Sequence, residues 1–243
     1  MFGLVEWRGA GERCGAREKR LGGVRFLAVG IRHGDGLRAA WSLRAAARAL
    51  EEYGVTQAVF PRAFSTYERF AARGIVPVDV LPLREAAAAA IARRAMAQQG
   101  IEPRRATVAL CAARVTRAYA AAAETLAADT RYLQLCTAQG GWELSQTLRS
   151  RFGVAAPILR APEGADIVLC FDDAVEASAA RGVVLPLGAA ALRVTYGNER
   201  TEKCGGEQEQ LLAAWYASLA LRAEEIRVKR VEWTQSANIG VER

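Results

Sequence analysis

Short apolar segments alternate with longer amphipathic segments along most of this chain, and this alternation limits the folds that it can adopt. Between about residue 24 and residue 187, segments rich in valine, isoleucine and leucine are separated by segments with helical periodicity. A strand followed by a helix and a second strand forms a right-handed crossover, which makes the two strands parallel. The sequence therefore predicts an α/β protein with parallel βαβ sheets.

The predicted elements follow from apolar periodicity, from helix caps and from the glycines that end helices. Asp35 is placed to cap one helix, and Ser65 with Glu68 to form a capping box for another. We predict strands over residues 24–31, 56–60, 75–80, 106–111, 132–136, 154–159, 167–171 and 183–187, and an edge strand over 226–233. We predict helices over residues 35–53, 65–74, 83–99, 113–127, 142–152 and 207–225.

Two helices have apolar residues at helical spacing, which predicts the faces that they bury. In the helix that begins at residue 35, the predicted inner face contains Leu37, Trp41, Ala47 and Leu50. In the C-terminal helix, it contains Leu212, Trp215 and Leu219.

The chain is long enough for one large domain or two small ones. Gly100 and Pro103 end a predicted helix, so the best boundary lies between residues 100 and 105. We predict an N-terminal α/β half over residues 1–104 and a Rossmann-like half over 105–196, closely packed together. Residues 197–243 then form a C-terminal amphipathic helix and a tail.

The net charge is +7, which raises the question of nucleic-acid binding. The positive residues are 30 arginines and 3 lysines, interleaved with acids along the whole chain, and they form no dense basic run. The sequence therefore argues against a nucleic-acid partner. No segment approaches the ~18 apolar residues of a membrane span. The first eight residues include Glu6 and lack an apolar core, so we expect no secretory signal and no membrane association.

Five cysteines are present, at wide spacing and without a CxxC pair. This pattern predicts no disulfide, no structural metal and a reducing cytoplasm, which we take to be bacterial. Cys111, Cys136 and Cys170 each end a predicted strand, and these strands are neighbours in Rossmann order. Buried thiols of this kind are most often inert. The alternatives are a soft-metal site or a redox sensor.

A dinucleotide site needs glycines after its first strand and an acid about 20 residues later. Residues 110–115 contain no glycine, and no acid ends the second strand near Cys136. The sequence therefore predicts no NAD and no other cofactor. An anion could still bind Arg114, Thr137 and the backbone amides of Gly140 and Gly141. The alternative is that these two glycines only form a loop.

Three residues are catalytic candidates because they follow strands at the carboxyl edge, where open α/β sheets bind ligands. His33 is the only histidine and could act as a general acid or base, with Asp35 orienting it. Asp172, followed by Asp173, could bind a ribose or magnesium. The alternatives are a loop histidine beside a capping aspartate and a second pair of capping aspartates.

No GxSxG, GxxxxGK[ST] or zinc-hydrolase motif is present. The order of elements over residues 24–225 resembles shikimate dehydrogenase-like proteins in topology. The glycine loop departs from that family's pattern, and no catalytic lysine–aspartate pair can be carried over.

We therefore expect a non-classical binding protein for an anion or nucleotide, or an assembly component, with an anionic small molecule and a second copy of the chain in a homo-oligomer as the candidate partners. The first alternative is an enzyme that acts on an anionic small molecule between His33, Asp35, Arg114 and Asp172. The second alternative is nucleic-acid binding through the basic surface.

Overall fold

The computed structural model describes residues 1–8, 15–34, 36–172, 180–198 and 207–233. The chain forms two compact units. The first comprises Met1–Pro82 and Asn198–Glu225, and the second comprises Leu83–Gly197 and Ile226–Arg243. The division of the chain into residues 1–104, 105–196 and 197–243 stays a prediction.

Strands and helices alternate through both units. In chain order the described elements are β1 Phe2–Trp7, β2 Arg17–Leu21, β3 Val24–Ile31, α1 Leu37–Glu52, β4 Gln57–Val59, α2 Glu68–Ala71, β5 Val76–Pro77, α3 Leu81–Ala86, α4 Ala88–Gln98, β6 Thr107–Arg114, α5 Arg117–Ala127, β7 Tyr132–Gln139, α6 Gly141–Phe152, β8 Ile158–Leu159, β9 Ile167–Cys170, β10 Val183–Pro186, β11 Arg193–Tyr196, α7 Gln208–Ala217, a 3-10 turn Ala223–Glu225 and β12 Val228–Glu232.

The first unit contains a five-stranded sheet in the order β2-β3-β1-β4-β5. β1 is parallel to β3 and to β4, β4 is parallel to β5, and only β2 is antiparallel to its neighbour. Leu4 and Val5 of β1 are fully or almost fully buried. Gly3 lies so close to α1 and β4 that a Cβ there would come within 2.9 Å of Ala58. This central strand is one that the sequence analysis did not predict.

The helix α1 confirms the predicted element but not its predicted face. The buried side consists of small and medium side chains, whereas Leu37 is 86% exposed and Trp41 is 74% exposed. The predicted inner face was therefore wrong at these two positions and right at Ala47 and Leu50. The buried residues of α1 are Ala39, Ser42, Leu43, Ala46, Ala47 and Leu50.

The predicted capping box at Ser65 does not form. α2 is a single turn that begins at Glu68, its N-cap position is Tyr67, and no side chain caps it. Phe70 is buried in the aromatic part of the core instead. Packing of this aromatic residue therefore holds the short helix in place.

The second unit contains a parallel sheet in the order β10-β9-β6-β7-β8. β6 pairs with β7 on one side and with β9 on the other, all in parallel. Numbered from β6, this is the strand order 3-2-1-4-5 of a Rossmann-type sheet, whose topological switch point lies between β6 and β9. The predicted fold class, an α/β protein with Rossmann-like parallel sheets, is confirmed.

A buried arginine organises the segment after β10. Arg84 is 5% exposed, and its guanidinium donates to the carbonyls of Leu187, Ala189 and Leu192 at 2.8 to 3.0 Å. A buried guanidinium needs such partners because leaving its donors unpaired would be costly. Arg84 thus holds the turn that leads into β11.

The C-terminal segment divides between the two units. Leu212 and Trp215 of α7 are buried in the first unit as predicted, but Leu219 is 89% exposed because the helix ends at Ala217. β12 pairs with β11, a strand that the sequence analysis missed. Residues 199–206 and the predicted tail from residue 234 lie outside the described residues. Among those described, no helix is long and apolar enough to cross a membrane.

Candidate functional site

The helix α1 begins at the carboxyl edge of the first sheet with an open N-terminus. Its N-cap position is Gly36, in extended conformation, and no side chain caps it. The structure places Gly36 at this position, whereas Asp35, which we predicted to cap the helix, lies outside the described residues, so its capping role stays a prediction. The first turn contains no acidic residue. Gly36 has no side chain that could bond the backbone amides of this turn, and these amides carry the positive end of the helix dipole.

A cavity of about 450 Å³ lies against this end of α1. Two arginines, Arg32 from the end of β3 and Arg38 from the first turn of α1, provide positive charge. Leu37 and Trp41 provide an exposed apolar side. Among the described residues, the lining consists of Arg32, Leu37, Arg38, Trp41, Ser42 and Ala45.

The strand end and the helix that line this cavity are fixed to each other. The Ser42 hydroxyl is buried, accepts the backbone N–H of Arg32 at 3.0 Å and donates to the carbonyl of Ala39 at 2.8 Å. This pair of hydrogen bonds sets the distance between the end of β3 and the first turns of α1. The backbones that carry Arg32 and Arg38 are thus held in one arrangement before any ligand binds.

His33 does not line this cavity but stacks on Trp7. The two ring centroids are 3.8 Å apart, and the rings are 19° from parallel. Trp7 in turn contacts Phe64, which packs with Phe60 and Tyr67. Burial, together with the negative charge of Glu207, raises the pKa of Tyr67. The stacking fixes the plane of the imidazole at the carboxyl edge.

In the second unit, β6 is the strand that would precede a dinucleotide site, and it is longer than predicted. Side chains of the protein accept hydrogen bonds from the backbone amides near its end. β6 continues to Arg114, so α5 begins at Arg117 and not at residue 113. Thr116 caps α5 by accepting the N–H of Tyr119 at 3.2 Å. The Asp172 carboxylate accepts the N–H of Ala113 at 2.7 Å. Two backbone donors at the switch point are therefore occupied by side chains.

Arg114, Thr137, Gly140 and Gly141 lie at one edge of the second sheet, on or just after the neighbouring strands β6 and β7. Arg114 is exposed and is aligned with Gln139 across the strand pair. Gly140 has φ +78° and is the N-cap residue of α6, with no capping side chain. A Cβ on Gly141 would lie 2.8 Å from Thr137, so close packing requires glycine there. The anion site at these four residues stays a prediction.

The catalytic candidates divide between the units. His33 and Asp35 belong to the first unit, and Arg114 and Asp172 belong to the second. Asp173 lies outside the described residues, as Asp35 does. Within the described residues, Asp172 contacts the Ala113 amide and His33 contacts Trp7. Their catalytic roles stay a prediction.

Cys111, Cys136 and Cys170 are buried neighbours, as the predicted strand order requires. Cys111 is aligned with Cys136 on β7 and with Cys170 on β9. In the part of the chain that the structure describes, no group of three ligating side chains is arranged to hold a metal ion. Cys14 and Cys204 lie outside that part.

The sequence analysis missed Arg32 and Arg38 and assigned Trp41 to the core. One signal was available, because a first turn with an arginine and no acid opposes the usual charge preference of helix N-termini. An unfavourable charge of this kind is tolerated where it serves a negatively charged ligand.

No protein-family model and no curated protein sequence matches the chain. A search of solved structures finds a shikimate 5-dehydrogenase-like protein, with 12% sequence identity and a TM-score of 0.26. The match covers 74% of this chain and 73% of the other.

Proposed function

We propose that this protein binds a small anionic molecule with a flat or apolar group at the N-terminus of α1. The observation that carries the proposal is the cavity lined by Arg32, Arg38 and Trp41 beside a helix end whose N-cap residue is Gly36. Helix N-termini bind anions through their free amides and their dipole. Two arginines add charge-assisted hydrogen-bond donors in the same place.

The apolar side of the cavity defines the rest of the ligand. Trp41 and Leu37 are exposed by 74% and 86%, which leaves their side chains available for contact. An indole face can pack against a planar group and can also attract a cation such as a guanidinium. The volume of about 450 Å³ lies within the range of small-molecule pockets. A ligand of the aryl phosphate or nucleotide class fits both features.

Calorimetry with phenyl phosphate and inorganic phosphate tests this proposal. We expect phenyl phosphate to bind about 10-fold more tightly than phosphate, which corresponds to about 1.4 kcal/mol. Losing one charge-assisted hydrogen bond costs about 1.5–3 kcal/mol. Arg38→Ala should therefore weaken binding by roughly 10- to 150-fold.

Arg44→Ala is the matched control, because Arg44 is exposed on the same helix and does not line the cavity. It removes the same charge, and we expect it to leave affinity nearly unchanged. Equal weakening by Arg38→Ala and Arg44→Ala would show only non-specific attraction to a basic protein. The absence of binding by either phosphate would contradict the proposal directly.

A second candidate site for an anion is the edge of the second unit at Arg114, Thr137, Gly140 and Gly141. It is supported by the open N-terminus of α6 and by the position of Arg114 on the neighbouring strand. Glu143 in the first turn of α6 disfavours an anion there, which is why α1 is the preferred site. Loss of phenyl phosphate binding in Arg114→Ala but not in Arg38→Ala would reverse this preference.

An enzymatic role is the alternative that His33 supports. His33 directly follows Arg32, which lines the cavity, and its ring is held against Trp7. Turnover of an anionic substrate that is lost in His33→Gln, with ligand affinity retained, would identify the protein as an enzyme.

A further inference from the structure

Three cysteine side chains form a row across the middle of the second sheet. Cys111 on β6 lies between Cys136 on β7 and Cys170 on β9, each at the same level. All three belong to one buried cluster, together with the small residues Ala109 and Ala165. Because aligned residues on neighbouring parallel strands point to the same face, the row of sulfurs is continuous.

Strand geometry determines which of these cysteines can be joined. Neighbouring strands are about 4.8 Å apart, and disulfides join Cα atoms about 4.4–6.8 Å apart. Cys111 is therefore within reach of either neighbour. Cys136 and Cys170 are separated by two strand spacings, which exceeds that range. A row also differs from the arrangement that a metal ion needs, in which thiolates surround the ion.

The thiols of Cys111 and Cys136 differ in acidity. Cys111 hydrogen bonds to Cys136 and to Cys170, and these bonds together with burial raise the pKa of Cys111. The hydrogen bond from the Cys111 thiol lowers the pKa of Cys136. A thiolate is the reactive form of cysteine. We therefore write Cys136 as the attacking thiol, with Cys111, its aligned neighbour on β6, as its partner.

We propose that Cys111 and Cys136 form a reversible disulfide on exposure to hydroperoxides, with Cys170 as the alternative partner of Cys111. The Cys136 thiolate attacks one peroxide oxygen, so an S–O bond forms, the O–O bond breaks, and the other oxygen leaves as water after protonation. The Cys111 sulfur then attacks the sulfur of the Cys136 sulfenic acid. The S–S bond forms, the S–O bond breaks, and the oxygen leaves as water with the Cys111 proton. In total, two thiols are oxidised by two electrons and one hydrogen peroxide is reduced to two water molecules.

The position of this bond links it to the carboxyl edge of the second sheet. Cys136 directly precedes Thr137, and Cys111 lies two residues before Ala113, whose N–H is held by Asp172. A covalent bond between β6 and β7 would therefore join the two strands just below their polar ends. The near-complete burial of the cysteines restricts the reaction to small oxidants.

The test uses the full chain carrying Cys14→Ser and Cys204→Ser, so that only the row can react. The folded protein is exposed to excess hydrogen peroxide, blocked with a maleimide while unfolded, digested and mapped by mass spectrometry. We expect a mass loss of two hydrogens, a Cys111–Cys136 crosslink, and complete reversal by dithiothreitol. Circular dichroism before blocking verifies that the protein is folded.

Two variants test whether Cys111 lies between Cys136 and Cys170, as the row requires. Cys136→Ala should move the crosslink to Cys111–Cys170, and Cys111→Val should abolish every crosslink. The proposal is overturned by a Cys136–Cys170 crosslink, by three thiols that stay fully alkylated, or by sulfinic acid without a crosslink. If Cys111→Val does not fold, the peptide map of the parent protein decides between these outcomes.

Discussion

The two parallel sheets differ in how the chain treats the polar groups at their carboxyl edges. In the second unit, Thr116 caps α5 and Asp172 binds the Ala113 amide, so side chains satisfy the polar groups at the start of α5, whereas α6 has Gly140 at its N-cap. In the first unit, the N-cap residue of α1 is Gly36, which has no side chain, and Arg32 and Arg38 line the cavity beside it. In the sheet with Rossmann strand order, the N-terminus of the first helix, α5, is thus capped by a side chain. The anion site that we propose lies on the other sheet.

This difference shows why strand order alone does not locate a ligand site. The sequence after β6 lacks the glycines of a dinucleotide site, and the structure agrees with this. The strand extends through Ala113 and Arg114, where a dinucleotide loop would turn. Strand order fixes where loops meet, but the loop residues decide whether amides remain available. Under our proposal, the buried Arg84 of the second unit therefore has a stabilising role, whereas the exposed Arg38 of the first unit has a role in ligand binding.

The largest expected effect comes from a comparison of two matched arginine substitutions, one in each unit, which tests whether the two arginines have different roles. Arg84→Met removes donors to three carbonyls in the second unit. Hydrogen bonds to charged groups are worth about 1.5–3 kcal/mol each, so we expect a loss of about 3 kcal/mol or more in the free energy of unfolding. Arg38→Met, at an exposed position of the first unit, should change it by less than about 0.5 kcal/mol. Chemical denaturation followed by circular dichroism measures both, and similar values would contradict this difference in roles.

A second substitution gives α1 of the first unit a capping side chain at its N-cap position, as α5 of the second unit has. Gly36 has extended backbone angles that any residue adopts, and a Cβ there meets no atom within 4 Å. Gly36→Asp should place a carboxylate over the α1 amides, as Thr116 places its hydroxyl over those of α5. We expect phenyl phosphate affinity to fall roughly 10- to 30-fold by calorimetry, about 1.4–2 kcal/mol, while stability is retained or slightly raised. Unchanged affinity would show that the ligand does not use these amides.

A smaller effect on ligand affinity distinguishes the exposed tryptophans of the two units. Trp41 lines the cavity at α1, and Trp142 is 65% exposed in the first turn of α6. Trp41→Ala should weaken phenyl phosphate binding about 5- to 10-fold, about 1–1.4 kcal/mol, and leave inorganic phosphate binding unchanged. Trp142→Ala should alter neither. The reverse result in fluorescence or calorimetric titrations would move the aromatic contact to the second unit.

The periodicity of the sequence was sufficient to predict the second sheet. Its central strands β6 and β9 are apolar and largely buried, as parallel strands covered on both faces are. The fold class therefore predicted that the strands of Cys111, Cys136 and Cys170 are neighbours, which the structure confirms. The first sheet was harder, because β1 contains Gly3 and Glu6 and β2 is highly charged. β2 is an edge strand, where charge is favoured because it discourages further pairing.

The candidate site could be predicted only in part. The loop around His33 stood out because histidine is rare and follows a strand, and the cavity borders that loop at Arg32. The orientation of α1 could not be read from its largest apolar residues, since alanines and Ser42 face the sheet. Close packing of a helix on a sheet favours such small side chains, which leaves Leu37 and Trp41 exposed. Hydrophobicity alone assigned those two residues to the core.

The most direct test of the central claim is hydrogen–deuterium exchange with and without saturating phenyl phosphate. A ligand bound at α1 accepts hydrogen bonds from its first-turn amides, so their exchange should slow. We predict protection over residues 37–41 and no change over residues 113–119 or 141–144. Protection at α5 or α6 with none at α1 would contradict the account, because the ligand would then occupy the second unit.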